Sequence, residues 1–145
     1  MKKVLTDMHT HTTFSHDGRD SIETMLNVAR EKGIAFYGVS DHLDFDYDLM
    51  QLSEKELAEV KNGDVAEYFR VAKRMREEYA GVMNVCVGAE FGYSDKADVQ
   101  RQYMETYEKY RPDFVINSVH GGDGRDFCRH KFGADKSATY RMYLG

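Results

Sequence analysis

Short apolar runs and amphipathic stretches take turns along this chain, and that alternation predicts its elements. Residues 4–8 read as a first strand, followed by a polar loop over residues 10–19 in which Asp17-Gly18 is the turn signal. Ile22, Met25, Leu26 and Ala29 then recur at helical spacing, with Asp20 as the expected cap, Glu23 reaching back to it and Gly33 as the stop. A second strand is expected over residues 34–40. The acidic stretch 45–63 is the least regular part, with helical turns expected around residues 54–60. Asp64 opens a stronger helix, with Glu67 three residues on, Val65, Phe69, Ala72, Met75 and Tyr79 near one face, and an end near Gly81. Residues 82–89 read as strand three, 96–110 as a helix that Pro112 cannot extend, and 114–119 as strand four. Residues 121–129 read as a loop and 136–144 as the start of another helix.

Strands separated by helices in this order imply parallel pairing with helical crossovers. The expected fold class is α/β. Candidate metal ligands close every strand at the same end, which suits part of a (β/α) barrel better than a doubly wound sheet. At 145 residues the expectation is a single domain, 1–145. A net charge of -5 argues against a nucleic-acid surface held by bulk charge, yet a local cleft can still bind a small phosphorylated anion. No apolar stretch approaches the length needed to span a bilayer, so no membrane partner is expected and a cytoplasmic location is. Two cysteines, Cys86 and Cys128, make no disulfide framework and are expected to be reduced.

The chemistry is concentrated where strands end. His9-x-His11 follows the first run, and residues two apart in an extended chain project to one side, so both imidazoles can serve one ion. Asp41-His42 follows the second run, Glu90 the third and His120 the fourth. A set of His, Asp and Glu without thiolates suits zinc, iron or manganese in an open catalytic site rather than a closed structural one. The candidate ligands are His9, His11, Asp17, His42, Glu90 and His120, although Asp17 before Gly18 is also an ordinary turn residue. Asp41 and Asp44 read either as helix caps or as carboxylates orienting His42. Arg125 and Arg129 are candidates to clamp a substrate phosphate. His16 and His130 are expected to face solvent, and Cys128-x-His130 lacks the second pair that a structural zinc site needs.

Taken together, H-T-H-T-T-F-S-H-D-G, G-V-S-D-H-L-D, V-G-A-E-F-G-Y and N-S-V-H-G-G-D-G-R-D-F resemble, in order, the successive motifs of the polymerase and histidinol phosphatase (PHP) superfamily, most closely its monofunctional histidinol-phosphatase branch. The resemblance implies a distorted (β/α)7 barrel holding up to three divalent ions at the C-terminal ends of its strands. It implies that His9 and His11 bind the first ion, that Glu90 bridges the first and second, that His120 binds the second, and that Asp17 and His42 bind the third. The resemblance further implies a later histidine ligand and a terminal Asp-x-His, which this sequence is not expected to reach by Gly145. The expectation is therefore the N-terminal portion of such a barrel, incomplete before closure, with metal occupancy partial or absent, little or no turnover, and homo-oligomers formed through its open side. The implied activity is hydrolysis of L-histidinol phosphate to L-histidinol and phosphate, in histidine biosynthesis, by water activated at the ions, with no side-chain nucleophile. Two other readings stay open: a phosphodiesterase or exonuclease of the same superfamily, and an inactive metal-binding or oligomerising module.

Overall fold

Strand β4 (Asn84–Gly92) explains the arrangement of the rest. Its sequence alternates Val85, Val87, Ala89 and Phe91 with Cys86, Gly88, Glu90 and Gly92, and the first set is buried in the main apolar cluster. Successive side chains of a strand point to opposite faces. One face of β4 thus packs under helices, and the other carries Glu90.

The computed structural model describes residues 5–47, 50–60, 62–122, 124–127, 135, 137, 138, 140 and 141. In it β1 (Thr6–Asp7) pairs in parallel with β2 (Phe36–Val39), β2 with β4, and β4 with β5 (Phe114–Ser118). A two-residue strand β3 (His42–Leu43) also pairs with β4, in the register that β2 began: Val39 lies opposite Val87, and His42 opposite Glu90. The predicted second strand is therefore one strand interrupted at Ser40 and Asp41, and the Glu90 amide bonds to the Asp41 carbonyl across the gap (3.0 Å). Because the register is kept, His42 and Glu90 share a face. The third strand runs three residues beyond the predicted end at Ala89, so Glu90 lies within the sheet rather than after it. The residues after β5, expected as loop, include a small antiparallel hairpin of β6 (Gly121–Gly122) and β7 (Arg125–Asp126).

Helix α1 (Ile22–Glu31) buries Ile22, Leu26 and Ala29. Its cap is Ser21, whose hydroxyl accepts from the Thr24 amide (3.2 Å), and not Asp20 as predicted. The hydroxyl three residues before Thr24 is the side chain that reaches the free amide, and Asp20 is one position too early. Helix α2 (Glu54–Val60) matches the expected turns in the acidic stretch. Helix α3 (Val65–Glu78) is capped by Asp64 as expected (3.0 Å to the Glu67 amide), but Glu67 turns away to pair with Arg70. Helix α4 (Ala97–Tyr110) ends at Arg111, which takes the left-handed conformation (φ 48°) just before Pro112. Of the helix predicted over 136–144, Ser137, Ala138, Tyr140 and Arg141 are helical and the remainder lies outside the described residues, as does Val4 of the predicted first strand.

The sheet is sealed to α3 by Tyr68 and Phe69, both almost fully buried. The Tyr68 hydroxyl lies 2.7 Å from the Gly88 carbonyl and 3.1 Å from that of Val39, tying the helix to two adjacent strands. Removing this hydroxyl strands buried carbonyls, whereas removing the Phe69 ring opens a cavity. Tyr68→Phe is expected to cost about 1–3 kcal/mol and Phe69→Ala about 3–5 kcal/mol, measured by urea denaturation; the reverse order would contradict this account of the core.

Candidate metal centre

The segment after β1 is fastened to the end of β2 by its own alternation. In His9-Thr10-His11-Thr12, the threonines turn toward the neighbouring strand: Thr10 Oγ1 donates to the Gly38 carbonyl (2.7 Å), and Thr12 Oγ1 donates to Asp41 (2.9 Å). The Thr12 amide and the Ser15 hydroxyl also donate to Asp41 (both 2.7 Å), and Ser15 Oγ in turn accepts from the His42 amide (2.8 Å). Asp41 is therefore neither a helix cap nor a partner of the His42 ring. It is a buried hub that holds the 9–17 loop against β3; burial pushes its carboxyl up, against the pull of its three donors. The alternation leaves His9 and His11 facing the other way, toward Glu90.

Glu90 is almost fully buried, and its two oxygens serve different neighbours. Oε2 lies 2.8 Å from His9 Nε2 and 2.7 Å from His11 Nε2, while Oε1 lies 3.0 Å from His120 Nε2. His11 also contacts Asp17 through Nδ1 (3.0 Å), and His42 Nε2 lies 3.5 Å from Asp17 Oδ2. The rings of His11, His42 and His120 follow one another at centroid distances of 4.3 and 4.7 Å. Three groups of ligand atoms close enough to share an ion result: His9, His11 and Glu90; His11, Asp17 and His42; and His42, Glu90 and His120. All six candidate ligands read from the sequence are thus brought together.

Burial alone would lift the Glu90 carboxyl, but the His11, His120, Ser118 and His9 side chains hold it far below the usual carboxylate range. Burial likewise opposes charge on the imidazoles, yet the carboxylates prevail: Glu90 and Asp17 push His11 up to about 9, and Asp44 and Glu90 push His120 up to about 10. Without a cation, protons do the balancing. Even so, His11 Nε2 and His42 Nδ1 are buried with no aligned hydrogen bond, so the short His11 to Glu90 distance is a close approach of two ligand atoms rather than a well-made bond. Nitrogen and oxygen atoms gathered around common points, some of them unsatisfied, fit a divalent cation.

Asp44 lies against this cluster, its Oδ1 accepting from His120 Nδ1 (2.7 Å) and its Oδ2 3.4 Å from His42 Nδ1. Of the two readings left open for Asp44, helix cap or carboxylate beside His42, its position fits the second, and its contact with His120 was not foreseen. His16, expected to face solvent, stacks on the His42 ring at 5.0 Å while remaining exposed. Thr10, Thr12 and Ser15 were missed as parts of the site, although the polar alternation H-T-H-T was the available signal. Arg125 sits on β7, in the hairpin that returns to His120 through the Phe127 amide (2.9 Å). Arg129, Cys128 and His130 lie outside the described residues; Cys86 is a free thiol.

The family model of the PHP domain matches residues 7–144. A probable histidinol-phosphatase of Clostridium acetobutylicum is 24% identical over 140 residues, covering 95% of this chain and 49% of that protein. One of Thermotoga maritima is 35% identical over 40 residues, 28% of this chain and 17% of that protein. The chain thus spans about half the length, or less, of the curated relatives it matches. Among solved structures, the histidinol phosphate phosphatase of Lactococcus lactis, in complex with zinc, L-histidinol and phosphate, aligns with a TM-score of 0.67 at 21% identity over 83% of this chain and 41% of that one. A Listeria monocytogenes protein assigned as a histidinol phosphatase aligns at 0.69 and 26% identity, over 83% and 47%. The parallel sheet with its helices is the half-barrel that these structures share with it, and with a family model matched over nearly its whole length, the chain belongs to the PHP domain family.

Proposed function

We propose that this chain carries the metal-holding residues of a phosphoric monoester hydrolase whose substrate is L-histidinol phosphate. The observation that carries the reading is the division of Glu90: one oxygen faces His9 and His11, the other His120, as a carboxylate shared by two ions requires. Asp17 with His42 and His11 offers a third position. Zinc, manganese and iron all suit this donor set. Closely spaced divalent ions, when bound, acidify water and neutralise phosphoryl charge during in-line displacement. The protein's part is to hold nitrogen and oxygen donors at fixed spacing, with Glu90 buried at the sheet's end and the exposed His9 and Asp17 at the rim. Arg125, on the hairpin after His120, is the proposed clamp for the substrate phosphate, together with Arg129. The relatives support the substrate class: curated histidinol-phosphatases match by sequence, and a neighbouring structure holds histidinol and phosphate. A soluble, cytoplasmic enzyme of amino-acid biosynthesis is the setting we propose; none of the described helices is long and apolar enough to cross a membrane.

We also propose that the chain self-associates. Among the described residues, β5 has a strand partner on one side only, and its Phe114, Val115 and Ile116 are partly rather than fully buried. An open parallel edge of this kind favours pairing with a second copy.

Three outcomes are expected. Zinc-loaded protein releases phosphate slowly from L-histidinol phosphate, and Glu90→Gln lowers the rate more than about 1000-fold, as loss of several kcal/mol of charge stabilisation implies; nucleotide release from single-stranded DNA in its place would favour the exonuclease reading, and tight metal binding with no turnover the inactive module. Zinc affinity rises with pH, because His11 and His120 must each lose a proton held up to about 9 and 10. Below those values the change is about tenfold per pH unit for each proton displaced; equal affinities at pH 6 and 8 would count against ligation by these residues. Sedimentation at micromolar concentration shows a dimer or larger assembly, and a stable monomer would end the association proposal.

A further inference from the structure

Asp44 belongs to none of the three ligand groups, yet its side chain is buried against two of their histidines. Its carboxylate is fully shielded from solvent. Its backbone is clamped from both sides by Asn62, whose Oδ1 accepts from the Asp44 amide (3.0 Å) and whose Nδ2 donates to the Asp44 carbonyl (2.7 Å). Room for the carboxylate exists because residue 92 is glycine: a Cβ there would lie 2.0 Å from Asp44 Oδ1 and 3.3 Å from His120 Nδ1. No ordinary side chain could replace Gly92 without displacing this pair.

The two carboxylate oxygens face two different histidines. Oδ1 accepts from His120 Nδ1 (2.7 Å), which fixes the proton on that nitrogen and leaves Nε2 to the Glu90 side. Oδ2 and His42 Nδ1 are both buried, neither makes an aligned hydrogen bond, and they lie 3.4 Å apart, with the Tyr47 hydroxyl also acting on Asp44. His42, like His11, belongs to two of the groups, in its case the one around Asp17 and the one around Glu90 and His120. A proton on its Nδ1, directed at Oδ2, would remove it from the Glu90 group and leave Nε2 for Asp17, 3.5 Å away.

We propose that Asp44 is a positioning residue shared by His42 and His120: one buried carboxylate holds both imidazoles with Nδ1 protonated, so that His120 presents Nε2 beside Glu90 and His42 presents Nε2 beside Asp17. Carboxylates that orient metal-bound histidines raise ligand basicity, and losing one weakens affinity about 10–100-fold. Here a single carboxylate acts on two metal positions, which makes their occupancies interdependent. The inference rests on the metal reading above, but its failure is separately visible.

The test uses the whole chain with histidine nitrogen-15 labelling, titrated with zinc alone. In the zinc form, His42 and His120 should each show a proton on Nδ1 and a metal-shifted Nε2. Asp44→Asn keeps the shape and a neutral acceptor, and should weaken zinc binding at both positions about 10–100-fold. Asp44→Ala should weaken it further, and Asp95→Asn, an exposed acid paired with Lys96, should not. Wild-type protein that binds zinc with Nδ1 of either histidine unprotonated, or an Asp44→Asn variant with unchanged affinity, overturns the inference while leaving the metal site standing. Wild-type protein whose histidine signals ignore zinc overturns both. Should the variants fail to fold, the spectrum of the unaltered protein still decides.

Discussion

A carboxylate buried at the end of a parallel sheet must be matched by positive charge, and in this molecule that constraint gathers everything else. Glu90 sits on the face of β4 opposite its apolar stripe, where an uncompensated charge would cost several kcal/mol or force protonation. Imidazoles from the β1 loop and the end of β5 close on its two oxygens, with the β3 histidine nearby. In the protein alone, protons on His11 and His120 satisfy it. The same geometry fits divalent cations, which we propose enter in exchange for those protons, so that a folding constraint and the proposed chemistry fall on the same atoms.

Around that centre a layer of neutral and acidic groups fixes the rings. Asp41 ties the first loop to β3 through Thr12 and Ser15, and Asp44 meets His120 and His42. The two acids belong to the same D-H-L-D run but face different tasks, because the strand pauses at Ser40 and Asp41 before resuming in register at His42. Asp41 stays on the side of the loop, and Asp44, just past the strand, comes under Gly92.

The residues that cluster at the site and the parallel architecture were legible in the sequence because both follow from short-range periodicity. His9-x-His11 shares a side by the two-residue repeat of an extended chain, and His42, Glu90 and His120 each follow an apolar run long enough to recognise. What escaped depended on partners distant in the chain. Nothing local says that Asp44 will meet a histidine 76 residues later, that the strand will break at Ser40, or that β4 will carry Glu90 inside its paired region. Ser21 displaced Asp20 as a cap through a shift of one residue, which propensity cannot resolve because both side chains cap well. Asp17 was doubtful as an ordinary turn residue, and only the fold sets it beside His11 and His42.

The central claim is that Glu90 is a carboxylate shared between two metal positions. Anomalous diffraction at the zinc edge from crystals of the zinc-loaded protein tests it most directly. The account predicts two peaks, each about 2.0–2.2 Å from a different Glu90 oxygen, one also at that range from His9 and His11 and the other from His120. Zinc bound elsewhere, or Glu90 left at ion-pair distance from the three histidines with no peak between them, would contradict it.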